Sequence, residues 1–201
     1  MMKIGIVGCA GRMGRMLIST VLETAGVDLV GGIEQSKSEA IGSDLGYLAS
    51  KSPIGLHVGD DPNSLFEASD TIIDFTNPVA TETYAQLAQK TGKALVVGTT
   101  GLGEDTLTAL REAGNNAVVI QAGNMSLGIN LIVGLVEQVA GILGKDYDIE
   151  IVEMHHKKKI DAPSGTALML GEAAAKGRGI VGEKNSVMSR VGETGARPDG
   201  V

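Results

Sequence analysis

Apolar and polar positions alternate in short blocks over the first two-thirds of the chain. Lys3–Val7 is an apolar run of strand length. It leads through Gly8-Cys9-Ala10-Gly11-Arg12-Met13-Gly14 into a segment where Met13, Leu17, Ile18, Val21 and Leu22 recur at helical spacing. Val27–Glu34 is a second strand and ends on an acid. Residues 42–55 show little periodicity and read as loop, with a short strand at Leu56–Val58. Asp61-Pro62 and Asn77-Pro78 are helix starts, each with a capping side chain and proline at the first helical position. Thr71–Phe75, Ala94–Gly98 and Ala117–Gln121 are further strands; helices run from Asn77-Pro78 to near Gly92 and over Glu104–Ala113.

Strand and helix thus alternate as far as residue 123. This predicts an α/β fold with a Rossmann-type, doubly wound parallel sheet. Leu127–Leu143 is a strongly apolar helix bridging into a second, smaller α+β domain. The boundary is expected between residues 126 and 127, giving domains 1–126 and 127–201. In the second, residues 148–154 alternate like a half-buried strand, Pro163 opens a helix to about Lys176, and a strand is expected near Ser186–Arg190. The Gly-rich stretch Val191–Val201 gives this domain an unfinished look, and the chain is expected to be cut short there.

Composition narrows the function classes. Apolar residues make up 43% and charged residues 20% of 201 positions, as in a well-cored globule. Aromatics are 2%, so base-stacking platforms for nucleic acid are not expected. A net charge of −7 argues further against a general polyanion binder. Cys9 is the single cysteine, which excludes an intrachain disulfide. No apolar run approaches the roughly 18 residues of a membrane span, and no signal peptide precedes the first strand, so a cytoplasmic enzyme is the expectation.

Two stretches carry chemistry. The first is the glycine turn. Glycine lets backbone approach a pyrophosphate, whose charge faces the helix start, and Arg12 adds a cation. Glu34, 20 positions beyond Gly14, stands near the spacing of a ribose-binding acid. The spacing is GxxGxxG rather than GxGxxG, so the strand before, the helix after and the acid carry the reading. Phe75-Thr76, Gly98-Thr99-Thr100 and Gly123-Asn124 follow later strands, where such sheets bind ligands. The second stretch is Glu150–Ala167, EIVEMHHKKKIDAPSGTA. It sets two histidines and three lysines just before a helix start. A proton donor, a fixed cation and free N–H groups suit a small anionic substrate, most simply a carboxylate.

Taken together, GxxGRMG at the first turn, DFT at 74–76, GTTG at 98–101, Gly123-Asn124 and HHKKKIDAPSGTA at 155–167 resemble the dihydrodipicolinate (4-hydroxy-tetrahydrodipicolinate) reductase family over almost the whole chain. The resemblance implies that NADH or NADPH reduces a cyclic unsaturated dicarboxylate to tetrahydrodipicolinate, in diaminopimelate and lysine biosynthesis. It implies that the second domain binds substrate and builds a homo-oligomer, a tetramer in the family. On matching positions it makes His155 the acid for a substrate carbon and Lys159 a carboxylate ligand that assists protonation. His156, Gly165 and Thr166 would hold other substrate groups. Gly8, Cys9, Ala10, Gly11, Arg12, Met13, Glu34, Gly98, Thr99, Thr100, Ala122, Gly123, Asn124 and Met125 would line the cofactor site, and no metal is implied.

The sequence departs from the family at Gln35, where members favouring NADPH often carry Arg to meet the 2′-phosphate; Lys37 is the nearest substitute. NADH is therefore expected to serve at least as well as NADPH. Three rivals remain: another nicotinamide-dependent amino- or hydroxy-acid dehydrogenase, a metal site from Glu153, His155 and His156, and a dinucleotide-sensing module without catalysis. Adjacent histidines on a strand lack the same-face spacing of helical metal motifs, which disfavours the second.

Overall fold

The computed structural model describes residues 1–155, 157, 159, 162–180, 187, 189 and 191–195, with Lys145 described by its backbone alone. Of the strand expected at Ser186–Arg190 only residues 187 and 189 are described, and the rest lies outside the described residues. The chain divides into two compact units, Met1–Ala122 and Gly123–Val201.

The first unit begins with β1 (Met2–Val7), α1 (Arg12–Glu23) and β2 (Val27–Ile33). A four-residue helix α2 (Leu45–Leu48) follows, then α3 (Pro62–Ala68), β3 (Thr71–Asp74), α4 (Pro78–Thr91), β4 (Ala94–Val97), α5 (Glu104–Ala113) and β5 (Val119–Gln121). The five strands form one parallel sheet in the order β2-β1-β3-β4-β5. Chain progression reverses between β1 and β3, the topological switch point where doubly wound sheets open a crevice.

Register lines up the strand ends. Val7 pairs with Ile33 and with Asp74, Asp74 with Val97, and Val97 with Gln121. The next residues, Gly8, Glu34, Phe75, Gly98 and Ala122, therefore share the carboxyl edge. Two aliphatic clusters cover the sheet, one around Phe66, Ile72, Leu95 and Leu110 and one around Ile6, Ile18, Leu29 and Leu45.

Local chemistry explains the helix starts. Asp61 accepts from Asn63 N and Ser64 N ahead of Pro62, and Asn77 accepts from Ala80 N ahead of Pro78. Two expectations fail here. Residues 42–55 hold α2, capped by the buried Asp44, which also takes Ile54 N and Gly55 N. Leu56–Val58 forms no strand: His57 makes an isolated bridge to Asp44. One carboxylate organises this segment, and residue periodicity carries no trace of that. On α1, Gly14, Ile18 and Val21 are buried, while Met13 and Leu22 are exposed.

The second unit contains α6 (Leu127–Leu143), a 3-10 turn at Gly144–Asp146, and α7 (Gly165–Gly177). The two helices pack closely: a Cβ on Gly177 would meet Ala140 Cβ at 3.1 Å, and Lys176 Nζ bonds Glu137 at 2.9 Å. Of α6 only Ala140 is buried, while Leu127, Leu131 and Ile142 are exposed. A groove of about 380 Å³ runs between Leu135, Val139, Tyr147, Ile149 and Ala174. Among the described residues no strand forms at 148–154, where one was expected, and Val152 and Met154 are exposed. Alternation gives a segment two faces, but a strand also needs a neighbour for its N–H and C=O groups. No helix among the described residues is long and apolar enough to cross a membrane.

Candidate active site

The glycine turn is built by close backbone contact. Gly8 has φ +65°, and a Cβ there would meet Thr76 Cγ2 at 2.6 Å. A Cβ on Gly14 would strike Cys9 Cα at 2.6 Å and the Gly8 carbonyl. The helix start can thus lie against the turn only if position 14 is glycine. Gly11 is the N-cap of α1 and supplies no capping side chain, and the first turn carries no acid. Among the described residues α1 is the α-helix that lacks both, since Asp44, Asp61, Asn77, Ser126 and Ser164 cap theirs and α5 has Glu104 and Asp105. Uncapped N–H groups, with the exposed Arg12 beside them, fit a phosphate-bearing ligand.

Glu34 is anchored beside that turn. Its Oε1 accepts from Ala10 N at 3.0 Å and its Oε2 from Gln35 N at 3.3 Å. The carboxylate is thereby held at the end of β2, with acceptor capacity left for ribose hydroxyls. Arg15, which sequence reading passed over, braces the turn from behind: Nε donates to Ala10 O at 2.8 Å and an Nη to Leu48 O at 3.3 Å. Met13 is exposed at the first turn of α1.

Cys9 needs qualification. Its side chain is fully buried, and burial, with the Glu34 charge second, pushes the thiol pKa up to about 12. Only its backbone is at the turn, where Cys9 N donates to Ile33 O.

Farther along the edge lies a group that the sequence expectations left without a role. The Asp74 carboxylate is fully buried. Its Oδ1 accepts from Thr76 N at 2.9 Å, Thr76 Oγ1 at 2.6 Å and Thr99 Oγ1 at 3.3 Å, and Oδ2 accepts from Thr81 Oγ1 at 2.6 Å. Asp74 so ties together the ends of β3 and β4 and the first turn of α4. Through the Thr76 methyl it also touches the Gly8 turn. Thr99 is buried with its hydroxyl spent on Asp74, whereas Thr100 is exposed. The Gly98 backbone lies under the Phe75 ring, and Ala122 N bonds Val97 O. An acid inside the apolar run TIIDF was the available signal, because buried acids are rare unless they are paired.

In the second unit, Ser164 caps α7 by accepting from Ala167 N at 3.1 Å, so the helix starts at Gly165 and Pro163 lies ahead of the cap. Glu153 reaches the same point: its Oε1 accepts from Ser164 N at 2.7 Å, and its Oε2 lies 3.2 Å from His155 Nδ1. The Ser164 hydroxyl and N–H hold the Glu153 carboxyl below the usual carboxylate range, and the His155 and Lys159 charges add to this. Lys159 is half-buried, and His156 lies outside the described residues. Asn124, expected on the cofactor, bonds Thr166 Oγ1 through Nδ2 at 3.0 Å, while its Oδ1 accepts from Ser126 N. The Thr166 hydroxyl then keeps its own proton for an outside acceptor. Gly123 approaches Met169, and Met125 is exposed.

One unit thus offers an uncapped helix start with a carboxylate beside it, and the other an imidazole near a capped helix start. Two family models meet within the chain close to the division between its units. A family model for dihydrodipicolinate reductase, N-terminus, matches residues 2–125, and one for dihydrodipicolinate reductase, C-terminus, matches residues 128–198. A 4-hydroxy-tetrahydrodipicolinate reductase of Rhizobium meliloti (strain 1021) is 52% identical over 200 residues, covering 99% of this chain and 74% of the relative. One from Methylocella silvestris is 48% identical over 199 residues, with 99% and 73% covered. Among solved structures, dipicolinate-bound dihydrodipicolinate reductase from Paenisporosarcina sp. TG-14 superposes with TM-score 0.68 at 28% identity, covering 100% of this chain and 76% of that one. An amine dehydrogenase from Mycobacterium smegmatis, at 19% identity and TM-score 0.54, shares the fold over 70% of this chain and 44% of its own.

Proposed function

Because this chain belongs to the dihydrodipicolinate reductase family, we propose that it reduces 4-hydroxy-tetrahydrodipicolinate or dihydrodipicolinate to tetrahydrodipicolinate in diaminopimelate and lysine biosynthesis, with a nicotinamide dinucleotide as reductant. The observation that carries this reading is the Glu153 carboxylate, 2.7 Å from Ser164 N and 3.2 Å from His155 Nδ1, which brings an imidazole to the start of α7. A proton donor beside a helix N-terminus suits an anionic substrate that must gain a proton.

The dinucleotide, when bound, supplies the hydride. The chain's own residues do the rest. The α1 start and Arg12 hold the pyrophosphate, and Glu34 accepts from ribose hydroxyls. The Asp74 network keeps the ends of β3 and β4 in place for the nicotinamide half. Gly165 N–H and the Thr166 hydroxyl bind substrate groups, as the family resemblance also assigns to His156, and Lys159 neutralises a carboxylate. His155 gives its proton to the substrate carbon. Replacing His155 with Gln tests this: kcat is expected to fall on the order of 100-fold, while the Kd for NADH holds. Unchanged kcat would remove the acid role.

On cofactor choice, Glu34 is anchored by two backbone N–H groups and followed by Gln35 rather than a cation. A fixed carboxylate accepts from a free 2′-hydroxyl and repels a 2′-phosphate. NADH is therefore used at least as well as NADPH. The comparison of kcat/KM for the two decides this, and a preference for NADPH of about a hundredfold would overturn it.

A further inference from the structure

Glu153 has two oxygens with different neighbours. Oε1 takes the Ser164 N–H, and the other oxygen faces His155 Nδ1. The geometry points to Glu153 as the positioning residue for His155, setting which ring nitrogen carries the proton that leaves. This inference rests on the reading of His155 as the acid.

An ionised carboxylate has only acceptors, so Nδ1 must present its N–H to it. In the imidazolium, the proton free to leave is then the one on Nε2. As it is transferred, the Nε2–H bond breaks, its electron pair stays on the ring nitrogen, and a C–H bond forms with an electron pair of the substrate. The neutral ring left behind is the Nδ1–H tautomer that Glu153 already holds. Proton donation therefore requires no turn of the ring.

The carboxylate is itself fixed. Ser164 is 3% exposed, donates its N–H to Glu153 Oε1 and accepts from Ala167 N through its hydroxyl oxygen. The chain of contacts runs from the α7 backbone through Ser164 and Glu153 to the imidazole. The same helix start offers Gly165 and Thr166 to a carboxylate, so one element aligns the proton and the anion to be protonated. Among the described residues, the His155 and Lys159 charges also favour the ionised form of Glu153.

The test is Glu153→Gln. An amide has one accepting atom. Ser164 N–H, fixed by the helix, retains it, and the amide NH2 then faces Nδ1. That forces the ring to accept there and to carry its proton on Nε2. The three histidines, 57, 155 and 156, are labelled with 15N, and His155→Gln identifies the signal of interest. At alkaline pH the parent protein should show Nδ1–H at His155, and Glu153→Gln should show Nε2–H. kcat should fall on the order of 100-fold, with the Kd for NADH unchanged as the sign of an intact fold. Glu153→Asp, which keeps two acceptors, should recover part of the loss. An unchanged tautomer in Glu153→Gln would overturn the inference, and so would a changed tautomer with normal kcat. Full turnover in His155→Gln would sink the acid assignment instead. The NMR comparison needs no turnover and would still decide whether Glu153 sets the ring.

Discussion

Asp74 shows how much one side chain can hold. Four donors converge on a carboxylate with no exposed surface, three of them threonine hydroxyls and one a backbone N–H. Hydroxyls can turn to donate or accept, but Thr76 N–H cannot. Asp74→Asn keeps the size but removes the charge and turns one accepting atom into a donor, so the Thr81 hydroxyl must reverse and the bonds that remain are neutral ones. The expected cost is about 2–3 kcal/mol of stability, read from the urea midpoint, together with weaker NADH binding. A midpoint shift worth less than about 0.5 kcal/mol would show that the network is ornamental. Glu153 is the parallel case in the second unit. As a bare letter it read as a candidate metal ligand; its partners Ser164 and His155 lie 11 and 2 positions away, and only the fold reveals that both meet it.

At the scale of elements, local chemistry was legible and partnership was not. Asp61-Pro62 and Asn77-Pro78 start α3 and α4 as their residue types dictate, because a cap is settled within four positions. The inner strands of the sheet were legible because a strand buried on both faces is a continuous apolar run, as at Ile4–Val7. Helix α2 was not, since its start depends on Asp44 also binding Ile54 and Gly55 across a loop. Met13 and Leu22 matched the helical period of α1 but lie off the packed stripe, where Gly14 makes the contact instead. The alternating pattern at 148–154 said nothing of a neighbouring strand.

At the scale of the whole molecule, the chain is two units, and matches to relatives cover 73–74% of their length. The order of the candidate stretches, glycine turn, acid, sheet ends, then the histidine and lysine loop, is a reading of the sequence, and the fold adds that the first three share one edge of the sheet. What sequence could not show is that Cys9, within the turn, faces inward to the core and not outward to a ligand. The thiol is protonated in the folded chain up to about pH 12, against 9.0 for a free one. Folding thus favours the protonated form. That contribution is whole below pH 9.0 and is lost progressively as pH rises toward about 12. Thermal melts from pH 8 to 11 should show an alkaline decline that is shallower in Cys9→Ala; identical slopes would contradict it.

A sealed thiol also keeps time. With a single sulfhydryl and no access to it in the closed fold, alkylation can proceed only during the moments when β1 and α1 part. The modification rate of an otherwise unlabelled sample then counts those partings, and a dinucleotide that bridges the turn should slow the count in proportion to its occupancy.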